Sequence, residues 1–181
     1  EAVNAKIHGY GSLNFGRNLQ QVYRHLAERH IDESDLRQVM SFAERILERP
    51  MELLPGVEET VAELSSRHEL TIFTKGNPDE QRMKIDRSGL GRYFAHAEVV
   101  KEKDAAAYLG LAEMRRFVLP ETWMIGNSPK SDINPALEVG MNAVYIPHAR
   151  TWILERAEIR EAVGPGRLMT VERFGELLAH F

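Results

Sequence analysis

Trp123-Met124-Ile125-Gly126-Asn127-Ser128-Pro129-Lys130-Ser131-Asp132 reads as a short buried strand that breaks into a polar loop and then enters a helix. Three apolar residues form the run and Gly126 ends it. Ser131 or Asp132 can cap the helix that continues through Ile133, Pro135, Ala136, Leu137 and Val139. In a parallel α/β sheet, ligands bind where strands end and helices begin. Asn127 and Asp132 both fall at such an edge.

The pattern around this stretch repeats it. Downstream, Asn142 to Pro147 reads as another strand. Upstream, Leu70-Thr71-Ile72-Phe73-Thr74 is β-branched and aromatic, and Lys75-Gly76-Asn77-Pro78 stops it, which predicts a buried strand. His96 to Val100 predicts a third. The segments between them, near Val57 to Leu64, Asp79 to Ser88 and Asp104 to about Arg116, are helical in spacing. Helix and strand alternate, so the expected fold is α/β, a Rossmann-like parallel sheet with helices on both faces. After Pro147 the pattern weakens. Trp152, Ile153 and Leu154 suit a short helix, Gly164-Pro165-Gly166 a turn, and Val171, Phe174, Leu177 and Leu178 a last helix.

The N-terminal part differs. Glu1 to about Asn14 reads as loop. Leu19, Val22, Tyr23 and Leu26 then mark one face of a helix, and Leu36, Val39, Met40, Ala43 and Leu47 mark a second, capped by Asp32 or Ser34. Two amphipathic helices joined by a short polar turn make an αα-hairpin, which must bury its stripes internally or against something else. The expected division is a helical cap over residues 1–52 and an α/β core over 53–181.

Composition narrows the function classes. The net charge of the 181 residues is -4, with no long basic run, so no nucleic-acid partner is expected. No apolar run is long enough to span a membrane. There is no cysteine, which excludes disulfides, Cys-based zinc sites and a catalytic thiol, and fits a cytoplasmic location. The seven histidines show no helical metal-ligand spacing. Three polar loops follow predicted strands, at Thr74 to Asn77, Lys101 to Asp104 and Asn127 to Asp132, and a parallel sheet brings all three to one edge. A hydroxyl and backbone N–H groups suit phosphoryl oxygens, a lysine neutralises their charge, and an oxygen-rich loop suits Mg²⁺.

These stretches resemble three of the four motifs of the haloacid dehalogenase (HAD)-like hydrolase superfamily. Leu70 to Asn77 resembles the second motif, Val99 to Asp104 the third and Met124 to Asp132 the fourth, and the likeness is close over residues 51 to 148. The resemblance implies a Mg-dependent phosphohydrolase that acts on a small phosphorylated molecule through an aspartyl-phosphate. It implies Thr74 as a donor to the phosphoryl group, with Lys75 and Gly76 beside it in the phosphate-binding loop. Lys103, with Lys101 as the other candidate, would be the neutralising lysine. Asn127 and Asp132 would be metal ligands. The hairpin is similar to the family's small helical cap, which makes Tyr10, Asn14 and Phe15 candidates for substrate contact. Two departures stand out. The first motif, a strand ending in Asp-x-Asp whose first Asp is the nucleophile, occurs nowhere in the sequence. In the family fold it lies between the strands of Thr74 and Asn127, so the chain is expected to be truncated and inactive as it stands. The fourth motif usually begins with Asp, where this chain has Asn127. A non-catalytic binding or scaffold protein of the same fold is the alternative, and a 2-haloacid dehalogenase a lesser one. The sequence leaves the oligomeric state open.

Overall fold

A computed structural model describes residues 9–162 and 164–181. Two helices, α1 (Ser12–Leu26) and α2 (Glu33–Glu48), lead into α3 (Val57–Ser65). Then come β1 (Thr71–Lys75), α4 (Pro78–Ser88), β2 (His96–Val100), α5 (Ala105–Arg115) and β3 (Trp123–Gly126). A π-helical turn (Pro129–Ile133) runs into α6 (Asn134–Glu138), followed by β4 (Asn142–Tyr145) and β5 (Leu168–Thr170). A 3-10 helix, Phe174–Ala179, ends the described chain where a regular helix was expected. The described helix α1 starts at Ser12, earlier than the loop reading to Asn14; residues 1–8 lie outside the described residues.

The strands are parallel, and the alternation of their side chains makes three layers. In β4, Ala143 packs into a cluster with Tyr108, Leu111, Ile133 and Leu137, while the next residue, Val144, packs on the other face with Leu64, Val171 and Leu177. Both faces of the sheet are therefore covered, as a parallel sheet requires. β5 went unforeseen. It is three residues long, too short to show a period.

The sheet is in two pieces. β1 pairs only with β2, and β3, β4 and β5 form a separate three-stranded unit. Between β1 and β3 runs a cavity of about 650 Å³, walled by Ile72 and Phe73 on one side and Met124 and Ile125 on the other, with Val61 and Leu64 from α3. The cavity occupies the position that the resemblance gives to the missing strand. Two buried polar atoms on its wall have no partner among the described residues, the Thr71 hydroxyl and the Arg115 Nε.

The helical pair α1–α2 packs closely at one point. A Cβ on Gly16 would come within 2.9 Å of the Ala43 Cβ, and Ala43 is fully buried. The apolar stripes are otherwise incompletely covered. Val22 is 50% exposed and Leu26 69%, and Phe42 and Ile46 are exposed on α2. Two helices packed on each other leave the outer part of both stripes uncovered. Glu80 on α4 ties the pair to the core. Its carboxylate accepts from the Ser12 N–H at 2.8 and 3.0 Å and from the Ser12 hydroxyl at 3.1 Å. It thereby caps α1, whose N-cap Gly11 has no side chain to do so.

Candidate active site

The loops that follow β1, β2 and β3 meet at one edge of the sheet, where Lys75 bonds Ser131 and Lys103 bonds Asp132. β1 ends at Thr74 and Lys75 because Gly76 turns the chain at φ 139° while its N–H still donates to Val100 O at 3.0 Å. A Cβ there would approach the Gln81 amide at 2.9 Å. Asn77 then caps α4, its side chain accepting from Asp79 N–H and Glu80 N–H at 3.0 and 3.1 Å. The Thr74 hydroxyl, half-buried, donates to Gln81 Oε1 at 3.3 Å.

Lys103 is buried just after β2, and Lys101 is exposed. The Lys103 ammonium donates to Asp132 Oδ1 at 2.5 Å and lies 5.2 Å from the centre of the Phe73 ring. Burial lowers the pKa of Lys103, against the pull of the Asp132 charge. The other Asp132 oxygen accepts from the Ser128 N–H at 2.9 Å. A side chain at position 126 would leave no room for this carboxylate, since a Cβ on Gly126 would sit 2.3 Å from Asp132 Oδ2. Tyr108 supports the loop from below, donating towards the carbonyls of Ser131 and Asp132 at 3.0 and 3.2 Å. Neither Ser131 nor Asp132 caps the following helical turn. Ser128 does, its hydroxyl accepting from the Ser131 N–H at 2.9 Å.

Asn127 is at the surface of the same loop. Its Nδ2 donates to Thr151 Oγ1 at 2.8 Å, and the Thr151 hydroxyl donates towards the Asn127 carbonyl at 3.4 Å. The hydroxyl has one proton, so it accepts from the amide, and Asn127 Oδ1 points elsewhere. That oxygen suits a hard cation by type. By number the set falls short. Among the described residues no group of three or more His, Cys, Asp or Glu side chains could hold a metal, and Asp132 is already held by Lys103.

One participant was not foreseen. Glu155 ends a single 3-10 turn after β4, and its Oε1 accepts from Lys75 Nζ at 2.7 Å. Its Oε2 accepts from the Ser128 hydroxyl at 2.6 Å. Lys75 also donates to Ser131 Oγ at 2.8 Å and reaches Tyr10 OH at 3.4 Å. Tyr10 in turn meets Trp152 edge-on, ring centres 6.4 Å apart. Burial opposes both charges of the pair, yet the bond to Glu155 leaves the Lys75 pKa raised, and the bonds from Lys75, Ser128 and Ser131 leave that of Glu155 lowered. Tyr10 thus joins the site, while Asn14 bonds to Gly9 and Arg17 on its own segment and Phe15 is exposed on α1.

The sequence profile of the haloacid dehalogenase-like hydrolases matches residues 11–146, three quarters of the chain. The chain belongs to this family. Its fold is similar to that of a haloacid dehalogenase-like family hydrolase from Xanthomonas campestris, with 29% identity, a TM-score of 0.86, and 99% of this chain and 71% of that one covered. It is also similar to the putative HAD-hydrolase YfnB from Bacillus subtilis, solved bound to magnesium, at 18% identity and TM-score 0.65 over 93% and 70% of the two chains. A 2-haloacid dehalogenase from Pseudomonas syringae pv. Tomato aligns at 21% identity and TM-score 0.60, again over 93% and 70%. No curated protein matches the chain.

Proposed function

We propose that this HAD-like hydrolase is a phosphohydrolase for a small phosphorylated molecule, active when a strand carrying a nucleophilic Asp occupies the gap between β1 and β3. The observation that carries the reading is the break between β1 and β3, with Thr74, Lys103 and the Asn127–Asp132 loop gathered at the carboxyl ends of the strands on either side of it. A strand there would pair with both half-sheets at the usual spacing of about 4.8 Å and deliver its last residues to that edge. Its carboxylate would attack phosphorus and form an aspartyl-phosphate, which water then hydrolyses. Thr74 would leave Gln81 and donate to a phosphoryl oxygen. Lys103 would balance the charge on the phosphoryl group and hold Asp132. The backbone around Gly76 would approach the phosphoryl oxygens, where a side chain could not. α1 and α2 would act as the cap, with Tyr10 facing the leaving group.

Magnesium, bound with carboxylates that the strand supplies, would neutralise the phosphoryl oxygens. The described residues contribute Asn127 Oδ1 and Asp132 to such a site and do not complete it. That shortfall favours the second reading, a non-catalytic binding protein of the same fold. The test is hydrolysis of p-nitrophenyl phosphate by the product of the full-length gene, with and without Mg²⁺. Mg²⁺-dependent turnover is expected, reduced about 100-fold in Thr74→Ala by loss of one phosphoryl donor. Turnover unchanged in both Thr74→Ala and Asp132→Ala would remove the roles assigned here. Release of chloride from 2-chloropropionate in place of phosphate would assign the dehalogenase chemistry instead.

A further inference from the structure

The segment after β4 reaches back over the site at Thr151, Leu154 and Glu155. Thr151 bonds both the side chain and the carbonyl of Asn127. The Leu154 carbonyl accepts from Lys130 Nζ at 3.1 Å. Glu155, its side chain 12% exposed, closes a ring. Its carboxylate holds Lys75, Lys75 donates to the Ser131 hydroxyl, the Ser131 N–H donates to Ser128, and Ser128 donates back to Glu155. The ring crosses the gap, because Lys75 belongs to the β1 side and Ser128, Ser131 and Glu155 belong to the β3–β4 side.

We propose that Glu155 is a positioning residue of the phosphate site, fixing the Lys75 ammonium and the Asn127–Asp132 loop in one arrangement across the gap. This rests on the phosphohydrolase reading above. A lysine on a four-carbon stem loses rotamer freedom when it is held at one point. Glu155 arranges this in advance, so substrate binding does not have to. Lys103 is held in the same way by Asp132, while Lys75 also has a second, longer and more exposed partner in Glu102 at 3.5 Å. Position 155 acts through Lys75 and Ser128.

The test compares the full-length protein with Glu155→Gln, Glu155→Asp, Lys75→Met and the Glu155→Gln/Lys75→Met double variant. Steady-state kinetics with p-nitrophenyl phosphate are read beside hydrogen exchange at the amides of Ser131 and Asp132. In Glu155→Gln, KM is expected to rise on the order of tenfold, the size seen when an outer-shell partner is lost, with kcat changing less. Glu155→Asp should recover part of that rise. The double variant should be no worse than the poorer single one, since both act on one contact. Exchange at Ser131 and Asp132 should quicken while that of Ala143 and Val144 stays slow. An unchanged KM in Glu155→Gln, or fully additive effects, overturns the proposal. A full-length protein with no phosphatase turnover removes the phosphohydrolase reading. The exchange measurement then decides alone, and unchanged exchange in Glu155→Gln overturns the positioning role.

Discussion

The gap between β1 and β3 and the loops at its end are held together in different ways. Along the length of the gap, Val61, Leu64, Ile72, Met124 and Ile125 line it together with polar residues such as Glu69, Thr71 and Arg115, and among the described residues no strand joins its two sides. At its end two ion pairs cross it, Lys103–Asp132 at 2.5 Å and Lys75–Glu155 at 2.7 Å. The burial of the strands reports the same difference. In β4, which has a neighbour on each side, Ala143 and Val144 are fully buried. In β3, which faces the gap, every residue is only half-buried. The length of the gap needs a partner backbone to be finished. The polar end is organised without one, because ion pairs join the half-sheets through side chains.

Breaking the polar end should have the largest effect. Asp132→Ala removes the partner of a buried ammonium and the acceptor of the Ser128 N–H. A loss of about 3 kcal/mol is expected from breaking a buried pair on one side, measured by urea denaturation. A loss below about 1 kcal/mol, the range of surface pairs, would mean that this pair does not hold the half-sheets together.

The outer pair should show itself through pH. The Glu155 pKa is lowered in the fold, so its contribution is present above the ordinary value of 4.5 and fades as pH falls through the folded value. The Lys75 pKa is raised, so its contribution is full below 10.5 and fades as pH rises through the folded value. Lys103, lowered by burial, works the opposite way on the alkaline side, where stability rises with pH as it loses its proton. The acid side therefore isolates Glu155. Glu155→Gln should cost roughly 1–2 kcal/mol at pH 7, between surface and buried pairs. The difference from the parent chain should shrink as pH is taken below 4.5. A difference that stays constant down to pH 3 would remove Glu155 from the charge balance of the site.

The same contrast explains what could be read in the sequence. β1, β2, β3 and β4 were legible because their β-branched and apolar runs end at Gly or polar residues, as Ile72-Phe73-Thr74 ends before Lys75-Gly76. Thr74, Lys103, Asn127 and Asp132 were singled out by their place at or just after the ends of such runs, and the structure gathers them at one edge of the sheet. Lys103 was preferred to Lys101 on the resemblance, and of the two it is the buried one. Glu155 was hidden because it lies where periodicity weakens after Pro147, and its partners are 80 and 27 residues away. The Trp152-Ile153-Leu154 turn was visible, but nothing local says that the next carboxylate folds back on Lys75. The Ser128 cap was missed because the helix begins with a π-helical turn at Pro129, three or four residues before a helix capped by Ser131 or Asp132 would have started.

The smallest effect tests the length of the gap itself. The Thr71 hydroxyl is buried on the wall of the gap with no partner among the described residues. A buried hydroxyl without a hydrogen bond costs about 1 kcal/mol or more. Thr71→Val keeps the β-branched shape and removes that cost, so it should raise the stability of this chain by about 1 kcal/mol in urea denaturation. The sign should change with the state of the gap. In a protein whose gap holds a strand, the hydroxyl has a neighbouring backbone to bond, and the same substitution should be neutral or destabilising. A stabilisation of equal size in both forms would show that Thr71 never meets a strand, and that the gap is not where one docks.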